Sequence, residues 1–210
     1  MEEHFFVAKF KEITANGMPG ISAHAPLMPL NRIVLPPFDE ASHRSSAVGI
    51  VLHPVQSKIH CILIKRPEYV GFHGGQISFP GGKMDIEDSN LEYTARRECF
   101  EEVDLPFELG NCIGELSSVY IPVSSFIVHP YVFFVNELPP LTPDPREVES
   151  IISFDIFDLT NSENLKTTDI KLANGISRKN IPFFDIEGHK VWGATAMILA
   201  ELKEILKQFD

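Results

Sequence analysis

The sequence has few cysteines, few basic residues and no long apolar run. Its 210 residues include three cysteines, Cys61, Cys99 and Cys112, which form neither a CxxC pair nor an even-numbered framework. This pattern suggests neither a disulfide scaffold nor a zinc site, and we expect reduced thiols in the cytoplasm. The longest stretch without a formal charge, residues 116–136, contains two prolines and several polar side chains, so it is not a predicted membrane span.

Basic residues are outnumbered, because 18 Lys and Arg face 29 Asp and Glu and leave a formal net charge of −11. This balance argues against binding nucleic acid through a basic face. It also means that a polyanionic substrate would need metal cations to approach. Residues 1–4 lack the basic and apolar regions of a signal peptide, and no C-terminal address is present. We therefore expect a cytoplasmic protein that is not bound to a membrane.

Composition and length are those of a globular chain, with 44% hydrophobic and 22% charged residues. The length predicts one domain, or one domain with an extension. Phe6, Phe10 and Ile13 recur at helical spacing and predict a short amphipathic helix, and residues 15–45 are proline-rich and predict an extended arm. We expect residues 1–45 to form this helix and arm, and residues 46–210 to form the main domain.

Strand patterns dominate the main domain. The first two predicted strands, 47–52 and 59–65, flank residues 53–58, which are expected to form a longer hairpin loop. A helix is predicted at 90–103 and a closing helix at 193–208. The further predicted strands are 76–79, 112–120, 126–135, 148–154, 169–172, 181–186 and 189–192. This order predicts an α/β fold of the α+β kind, in which helices pack on the faces of a mixed sheet.

Acidic side chains gather around the first of these helices. Residues 89–92 fit a capping box with Ser89 as the cap, and the helix would then place Glu98, Glu101 and Glu102 on one face. Three carboxylates at this spacing repel one another and raise each other's pKa values. A hard divalent cation bound by carboxylate oxygens would offset that repulsion. The helix fragment alone leaves a second interpretation open, which is an ordinary solvated acidic face.

The residues before the helix strengthen the first interpretation. Asp85, Glu87 and Asp88 add possible oxygen ligands, and the glycine pair Gly81-Gly82 would let backbone carbonyls approach a bound ion closely. The whole segment resembles the Nudix hydrolase family, whose box reads G-x5-E-x7-R-E-U-x-E-E-x-G-U, with U an aliphatic residue. The corresponding residues here are Gly82, Asp88, Arg97, Glu98, Cys99, Glu101, Glu102 and Leu105.

The match has three departures. Asp88 replaces the first glutamate, Asp104 replaces the last glycine, and eight residues instead of seven separate Asp88 from Arg97. The longer spacing is similar to that of the coenzyme A pyrophosphatase branch, which reads F-P-G-G-K-x-D-x-x-D and then T-A-x-R-E. Residues 79–88 and 94–98 follow that pattern, and the resemblance extends over about residues 45–200.

Residues upstream of the box also resemble this branch. The histidine, glycine and glutamine of its signature are matched by His73, Gly75 and Gln76, but the arginine expected two residues before the histidine is Gly71. If that arginine holds a phosphate of coenzyme A in the branch, its replacement weakens the substrate assignment. Gly71 is thus the best support for a different Nudix substrate, such as ADP-ribose or another nucleoside diphosphate derivative.

The resemblance implies a Nudix-type mixed sheet sandwiched between helices, and a hydrolase that uses Mg²⁺ or Mn²⁺. Glu98, Glu101 and Glu102 would bind the metal and serve catalysis, with the Gly81 carbonyl as a further ligand. Arg97 either joins the catalytic group or pairs with a box carboxylate. Four further side chains are either substrate contacts or surface and packing residues: Arg66, His73, Gln76 and Lys83. The remaining histidines show no metal-ligand spacing.

The implied reaction is cleavage of coenzyme A or acyl-CoA at its pyrophosphate, which gives 3′,5′-ADP and (acyl-)4′-phosphopantetheine. Its partner would be a small nucleotide-like molecule, without nucleic acid or membrane, and analogy with the family allows a homodimer. A third possibility is a Nudix module that binds a nucleotide as a sensor without catalysis. Such modules often lose box glutamates, whereas this chain keeps Glu98, Glu101 and Glu102.

Overall fold

The structure is a computed structural model, and it describes residues 2–28, 43–68, 74–171 and 177–209. Its α-helices are α1 (Glu3–Ala15), α2 (Ile21–His24), α3 (Leu91–Val103) and α4 (Gly193–Leu206). Its strands are β1 (Arg44–Val55), β2 (Lys58–Lys65), β3 (Ile77–Ser78), β4 (Gly81–Lys83), β5 (Asn111–Glu115), β6 (Val119–Ile121), β7 (Phe126–Phe134), β8 (Ser150–Asp155), β9 (Leu165–Lys171), β10 (Ser177–Ile186) and β11 (His189–Val191).

The larger sheet is mixed, as predicted. Its strands run in the order β3-β2-β1-β7-β5, with β4 paired to β1, β6 to β7 and β8 to β2. The parallel contact joins β1 to β7, from Arg44 opposite Phe126 to Leu52 opposite Phe134, and the other pairings are antiparallel. A second, antiparallel sheet has the order β11-β10-β9. Because β1 pairs with β4, β2 and β7, it lies at the centre of the larger sheet.

Alternation along β1 explains why helices cover both faces of the larger sheet. Ile50 and Leu52 join the core cluster that contains residues of α1 and α4. Val51, which lies between them, joins the cluster that contains Cys99 and Val103 of α3. Successive side chains of a strand point to opposite faces, so one continuous apolar run serves two layers. The prediction of a sheet sandwiched between helices is confirmed.

The N-terminal helix is an integral part of this core. Phe6 and Phe10 are fully buried in the same cluster as the α4 residues, and the Phe6 ring stacks on Phe209 with centroids 5.0 Å apart. The predicted amphipathic helix is therefore confirmed. The predicted extended arm is wrong over residues 21–27, which form α2 and a 3-10 turn, and residues 29–42 lie outside the described ranges.

Glu201 on α4 attaches the segment after α1 to the core. Its side chain is completely buried and accepts hydrogen bonds from the backbone N–H groups of Gly20 and Ser117, at 2.7 and 2.8 Å. The Ser117 hydroxyl lies at 2.7 Å and His24 Nε2 at 3.3 Å from the same carboxylate. Burial alone would raise the pKa of Glu201, but the hydrogen bonds from His24, Ser117 and Gly20 outweigh it and lower the pKa.

The substitution Glu201→Gln is expected to lower the free energy of unfolding by about 3 kcal/mol, because an amide cannot accept from all of these donors. Urea denaturation at neutral pH measures the change. Glu204→Gln, at a side chain of the same helix that is 40% exposed, is the control and should stay within about 0.5 kcal/mol of the wild type. Equal stabilities for the two variants would contradict this role of Glu201.

Three local predictions need correction. Residues 53–58 do not form a long loop, because β1 and β2 continue to a two-residue turn, with Val55 opposite Lys58. Proline at position 54 favours a loop in the sequence, yet Pro54 lies within β1, opposite Ile59 of β2. The predicted strand 112–120 is interrupted and becomes β5 and β6. The helix cap is Asn90, whose side chain accepts from the Tyr93 N–H at 2.8 Å, and not Ser89.

None of the helices in the described ranges is both long and apolar enough to cross a membrane.

Candidate active site

The acidic cluster surrounds one guanidinium group, that of Arg97 on α3. Its Nε and Nη2 atoms contact the two oxygens of Asp88 at 2.9 and 3.0 Å. Its Nη1 atom lies 2.9 Å from Glu98 Oε1 and 2.8 Å from Glu101 Oε2, and Nη2 also donates to the Lys83 carbonyl at 3.1 Å. Arg97 therefore pairs with three box carboxylates and joins β4 to α3.

Asp88 is the most strongly held of these carboxylates. Besides its two contacts with Arg97, it accepts from the Asp85 backbone N–H at 2.9 Å and from the Thr94 hydroxyl at 2.8 Å. Hydrogen bonding to Arg97 is the main cause that lowers the pKa of Asp88 to about 2. The Asp88 side chain is only 2% exposed. Its contacts therefore hold the loop before α3 in place.

The Asp88 pKa predicts a pH-dependent contribution to stability. A folded pKa of about 2 lies below the ordinary 3.8, so the stabilisation is complete above that ordinary value and is lost as the pH falls toward 2. Asp88→Asn is expected to cost about 2 kcal/mol at pH 7 and progressively less between pH 4.5 and about 2.5. Urea denaturation across this range measures it. Asp85→Asn, at a side chain 66% exposed, is the control, and a pH-independent cost for Asp88→Asn would contradict the assignment.

Glu98 is a partly buried carboxylate that faces the glycine pair. Its side chain is 13% exposed, and burial is the main cause that raises its pKa, against the lowering effect of Arg97. A Cβ atom placed on Gly82 would overlap Glu98 Oε1 and lie 2.6 Å from Glu98 Cδ. Glu98 thus occupies the space that a side chain at position 82 would fill.

Glu102 is the most deeply buried of the three helix carboxylates, with 2% of its side chain exposed. Its Oε2 accepts from the Gly81 backbone N–H at 2.9 Å, and its Oε1 lies 3.2 Å from Arg66 Nη1. Burial raises the pKa of Glu102 to about 8, although Gly81 and Arg66 act in the opposite direction. Glu101, by contrast, is half exposed and contacts Arg97.

One carboxylate beside this cluster, Glu147, is not predicted from the sequence. Its Oε2 lies 3.5 Å from Arg66 Nη2, so Arg66 bridges Glu147 and Glu102. The charge of Glu147 is among the causes that raise the pKa values of Glu98 and Glu102. The loop before β8 reaches α3 through the Asp144 backbone N–H, which donates to the Glu102 carbonyl at 3.0 Å. No local pattern around residue 147 signals this approach.

The other predicted site residues are placed as follows. The Gln76 carbonyl accepts from the Arg66 backbone N–H at 3.0 Å, which holds β3 beside the end of β2. The Lys83 side chain is exposed at the end of β4. The Gly81 N–H takes part in the cluster through Glu102, and the Gly81 carbonyl as a metal ligand stays a prediction. His73 and Gly71 lie outside the described residues.

The donor chemistry of this cluster fits a hard divalent cation. Glu98, Glu101 and Glu102 offer carboxylate oxygens, which Mg²⁺ and Mn²⁺ prefer. A cation beside Glu98 and Glu102 would favour their charged forms and reverse the effect of burial on their pKa values. Within the described ranges, no three His, Cys, Asp or Glu side chains are gathered closely enough to hold a metal ion. Arg97 and Arg66 compensate the carboxylate charges in this arrangement.

Comparison of the chain with known proteins identifies a family. The family model of the NUDIX domain matches residues 43–173. The mitochondrial coenzyme A diphosphatase NUDT8 of Homo sapiens is 34% identical over 137 residues, which are 64% of this chain and 57% of the human protein. The uncharacterized Nudix hydrolase NudL of Photorhabdus laumondii is 28% identical over 181 residues, 82% of this chain and 92% of that protein.

Solved structures agree at the level of the fold. A Nudix hydrolase of M. smegmatis, RenU, superposes with a TM-score of 0.56 and 14% identity over 80% of this chain and 88% of that chain. A C. elegans Ap4A hydrolase superposes with a TM-score of 0.52 and 14% identity over 79% of this chain and 99% of that chain. Because the family model spans every strand of the larger sheet and all of α3, the chain belongs to the Nudix family.

Proposed function

We propose that the chain hydrolyses the pyrophosphate bond of coenzyme A or acyl-CoA and releases 3′,5′-ADP and (acyl-)4′-phosphopantetheine. The observation that carries the proposal is a pair of carboxylates, the partly buried Glu98 and the buried Glu102, held against Gly82 and Gly81. The similarity to the human coenzyme A diphosphatase supports this choice of substrate. The proposed cofactor is Mg²⁺ or Mn²⁺.

Each protein group has a proposed role. Glu98, Glu101 and Glu102 would hold the divalent cation, which supplies charge neutralisation at the pyrophosphate and activation of water. Gly82 leaves room for Glu98, and the Gly81 N–H fixes one oxygen of Glu102. Arg97 positions Glu98 and Glu101 through its pairing with Asp88. With carboxylates and cation fixed in advance, little reorganisation is needed when charge develops on the phosphoryl oxygens.

Substrate contacts are proposed for four residues, three of which the structure describes near this cluster. The exposed Lys83 is suited to a phosphate of the substrate, and Arg66 and Gln76 lie together at the end of β2. Arg66 also contacts Glu102 and Glu147. In the proposed role, its guanidinium exchanges one of these carboxylate contacts for a contact with a substrate phosphate. His73 remains a predicted substrate contact, and the cytoplasmic location and the homodimer also remain predictions.

Glu147 is a proposed further member of the site, since it shares Arg66 with Glu102 and half of its side chain is exposed. Its oxygens are thus accessible for a proton from the attacking water. Glu147→Gln is expected to lower kcat about 10- to 100-fold. Glu149→Gln is the matched control, because Glu149 is two residues away and pairs with Lys65 at 2.6 Å. Equal turnover numbers for the two variants would exclude Glu147 from the site.

A second candidate function is hydrolysis of ADP-ribose or another nucleoside diphosphate derivative, favoured by Gly71 in place of the branch arginine. The test is kcat/KM for coenzyme A, ADP-ribose and a diadenosine polyphosphate at equal Mg²⁺ and again at equal Mn²⁺. Preference for coenzyme A supports the proposal. Cleavage of the other compounds with coenzyme A left intact would keep the metal-dependent hydrolase and replace its substrate.

A further inference from the structure

A polar cluster lies at the far end of the β1–β2 hairpin, away from the acidic site. His53 of β1 is directly opposite His60 of β2 in the register. Opposed residues of an antiparallel pair project from the same face of a sheet, and the two imidazole rings have centroids 6.0 Å apart. Ser153 of β8, the neighbour of β2 on its other side, is the third member of the cluster.

The two imidazoles converge on one point. His60 Nδ1 lies 3.1 Å from Ser153 Oγ, and His53 Nε2 lies 3.5 Å from the same oxygen. Imidazole nitrogens bind Zn²⁺ at about 2.1 Å, which places the ring centroids of two histidines on one ion roughly 5–6 Å apart. The observed ring separation therefore needs only small side-chain rotations to admit an ion between the nitrogens.

His53 is the buried member of the pair, with 7% of its surface exposed. Burial is the main cause that lowers the pKa of His53, and the neighbouring His60 lowers it further, so the neutral imidazole is favoured. The backbone of Pro54 acts in the opposite direction on the pKa of His53, but burial and His60 outweigh it.

The surroundings allow an ion to enter. Ser153 is exposed and His60 is half-buried, so one side of the cluster is open to solvent. Asp155, which lies opposite His60 in the register, forms an ion pair with Lys58 at 2.9 Å, so these two charges compensate each other. Since no third His, Cys, Asp or Glu completes a metal-binding group in the described part of the chain, solvent would fill the remaining coordination positions.

We propose that His53 and His60 form a binding site for a transition-metal ion of the class that prefers imidazole nitrogen, represented by Zn²⁺. The site is separate from the carboxylates of α3. Gly82 pairs with Ala47 of β1, and His53 lies six residues further along that strand, about 20 Å away at ~3.3 Å per residue. The proposal is independent of the hydrolase function, and either can fail alone.

The test is calorimetric titration of the full chain with ZnCl₂ in excess Mg²⁺, which competes for the carboxylates. We expect one zinc site in the wild type and an affinity about 10- to 100-fold lower in His60→Gln. His189→Gln, at a half-buried histidine of β11, is the matched control and should leave the affinity unchanged. Nitrogen-15 NMR of the imidazoles should show zinc-dependent shifts of the His53 and His60 ring nitrogens.

Two further variants keep the test decisive. His60 is only half-buried, so His60→Gln is expected to fold, and circular dichroism checks this. Ser153→Ala removes a hydroxyl and neither nitrogen, and should change the zinc affinity less than about threefold. Equal zinc affinity in the wild type and His60→Gln would overturn the proposal. So would a loss of the zinc site in Glu102→Gln, because it would place the ion at the carboxylates of α3.

Discussion

Replacing Glu102 by glutamine is expected to lower kcat for the proposed reaction by about 10³-fold or more, while the fold is kept. The carboxylate is buried beside the Gly81 N–H and Arg66, and an amide oxygen can still accept from Gly81. The neutral amide can neither bind a divalent cation strongly nor balance its charge. Steady-state turnover at saturating Mg²⁺ or Mn²⁺ measures the effect.

The pKa of Glu102 explains why the variant should remain folded. A folded pKa of about 8 lies above the ordinary 4.5, so without a cation the charged form destabilises the folded protein as the pH rises above 4.5. At pH 7, Glu102→Gln is therefore expected to leave the free energy of unfolding unchanged or to increase it.

Glu92→Gln is the matched control for this loss. Glu92 lies on the same helix and pairs with Arg96 at 3.0 Å, and its variant should keep the wild-type turnover. Wild-type turnover in Glu102→Gln would contradict the role given to Glu102. A nucleotide-sensing module would behave differently. The wild type and Glu102→Gln would then both bind nucleotide without metal, and neither would hydrolyse it.

Alanine substitutions at Gly81 and Gly82 are expected to have different effects, one mainly on stability and the other mainly on activity. In Gly82→Ala, the new Cβ overlaps the end of the flexible Glu98 side chain, so Glu98 must move while the backbone stays. We expect kcat to fall about 100-fold, because small displacements of a metal-binding or catalytic group are costly. The free energy of unfolding should change by less than about 1 kcal/mol.

Gly81→Ala, in contrast to Gly82→Ala, is expected to lower the stability of the folded protein. Its Cβ would lie 2.5 Å from the Ala47 carbonyl oxygen and 2.7 Å from Val48 Cα. These atoms belong to the backbone of the central strand β1 and cannot move without disturbing the sheet, so we expect a loss of about 3 kcal/mol in the free energy of unfolding. Urea denaturation and turnover measured on both variants test the contrast. Comparable stability losses for the two variants would contradict it.

The carboxylates of α3 were predictable because helix geometry is local. Once residues 90–103 are recognised as a helix, Glu98, Glu101 and Glu102 must share a face. Their contact with Gly81 and Gly82 follows from the short connection between β4 and α3. The motif thus contains most of the information needed to place these five residues.

Features that depend on distant pairing were not predictable in the same way. Glu147 reaches the site because β8 pairs with β2, which no pattern around residue 147 reveals. His53 and His60 face each other only because the hairpin turn has two residues, and Pro54 favoured a longer loop. Phe6 and Phe10 showed a helical spacing, but their place in the core depends on tertiary packing against α4.

The most direct test of the proposed function is product analysis of coenzyme A incubated with the purified chain, with Mg²⁺ or Mn²⁺ and again with a chelator. Separation of the products identifies the bond that is cut, and Glu102→Gln provides the blank. We predict metal-dependent release of 3′,5′-ADP and 4′-phosphopantetheine by the wild type and background release by the variant. Intact coenzyme A under all of these conditions would contradict the proposed substrate.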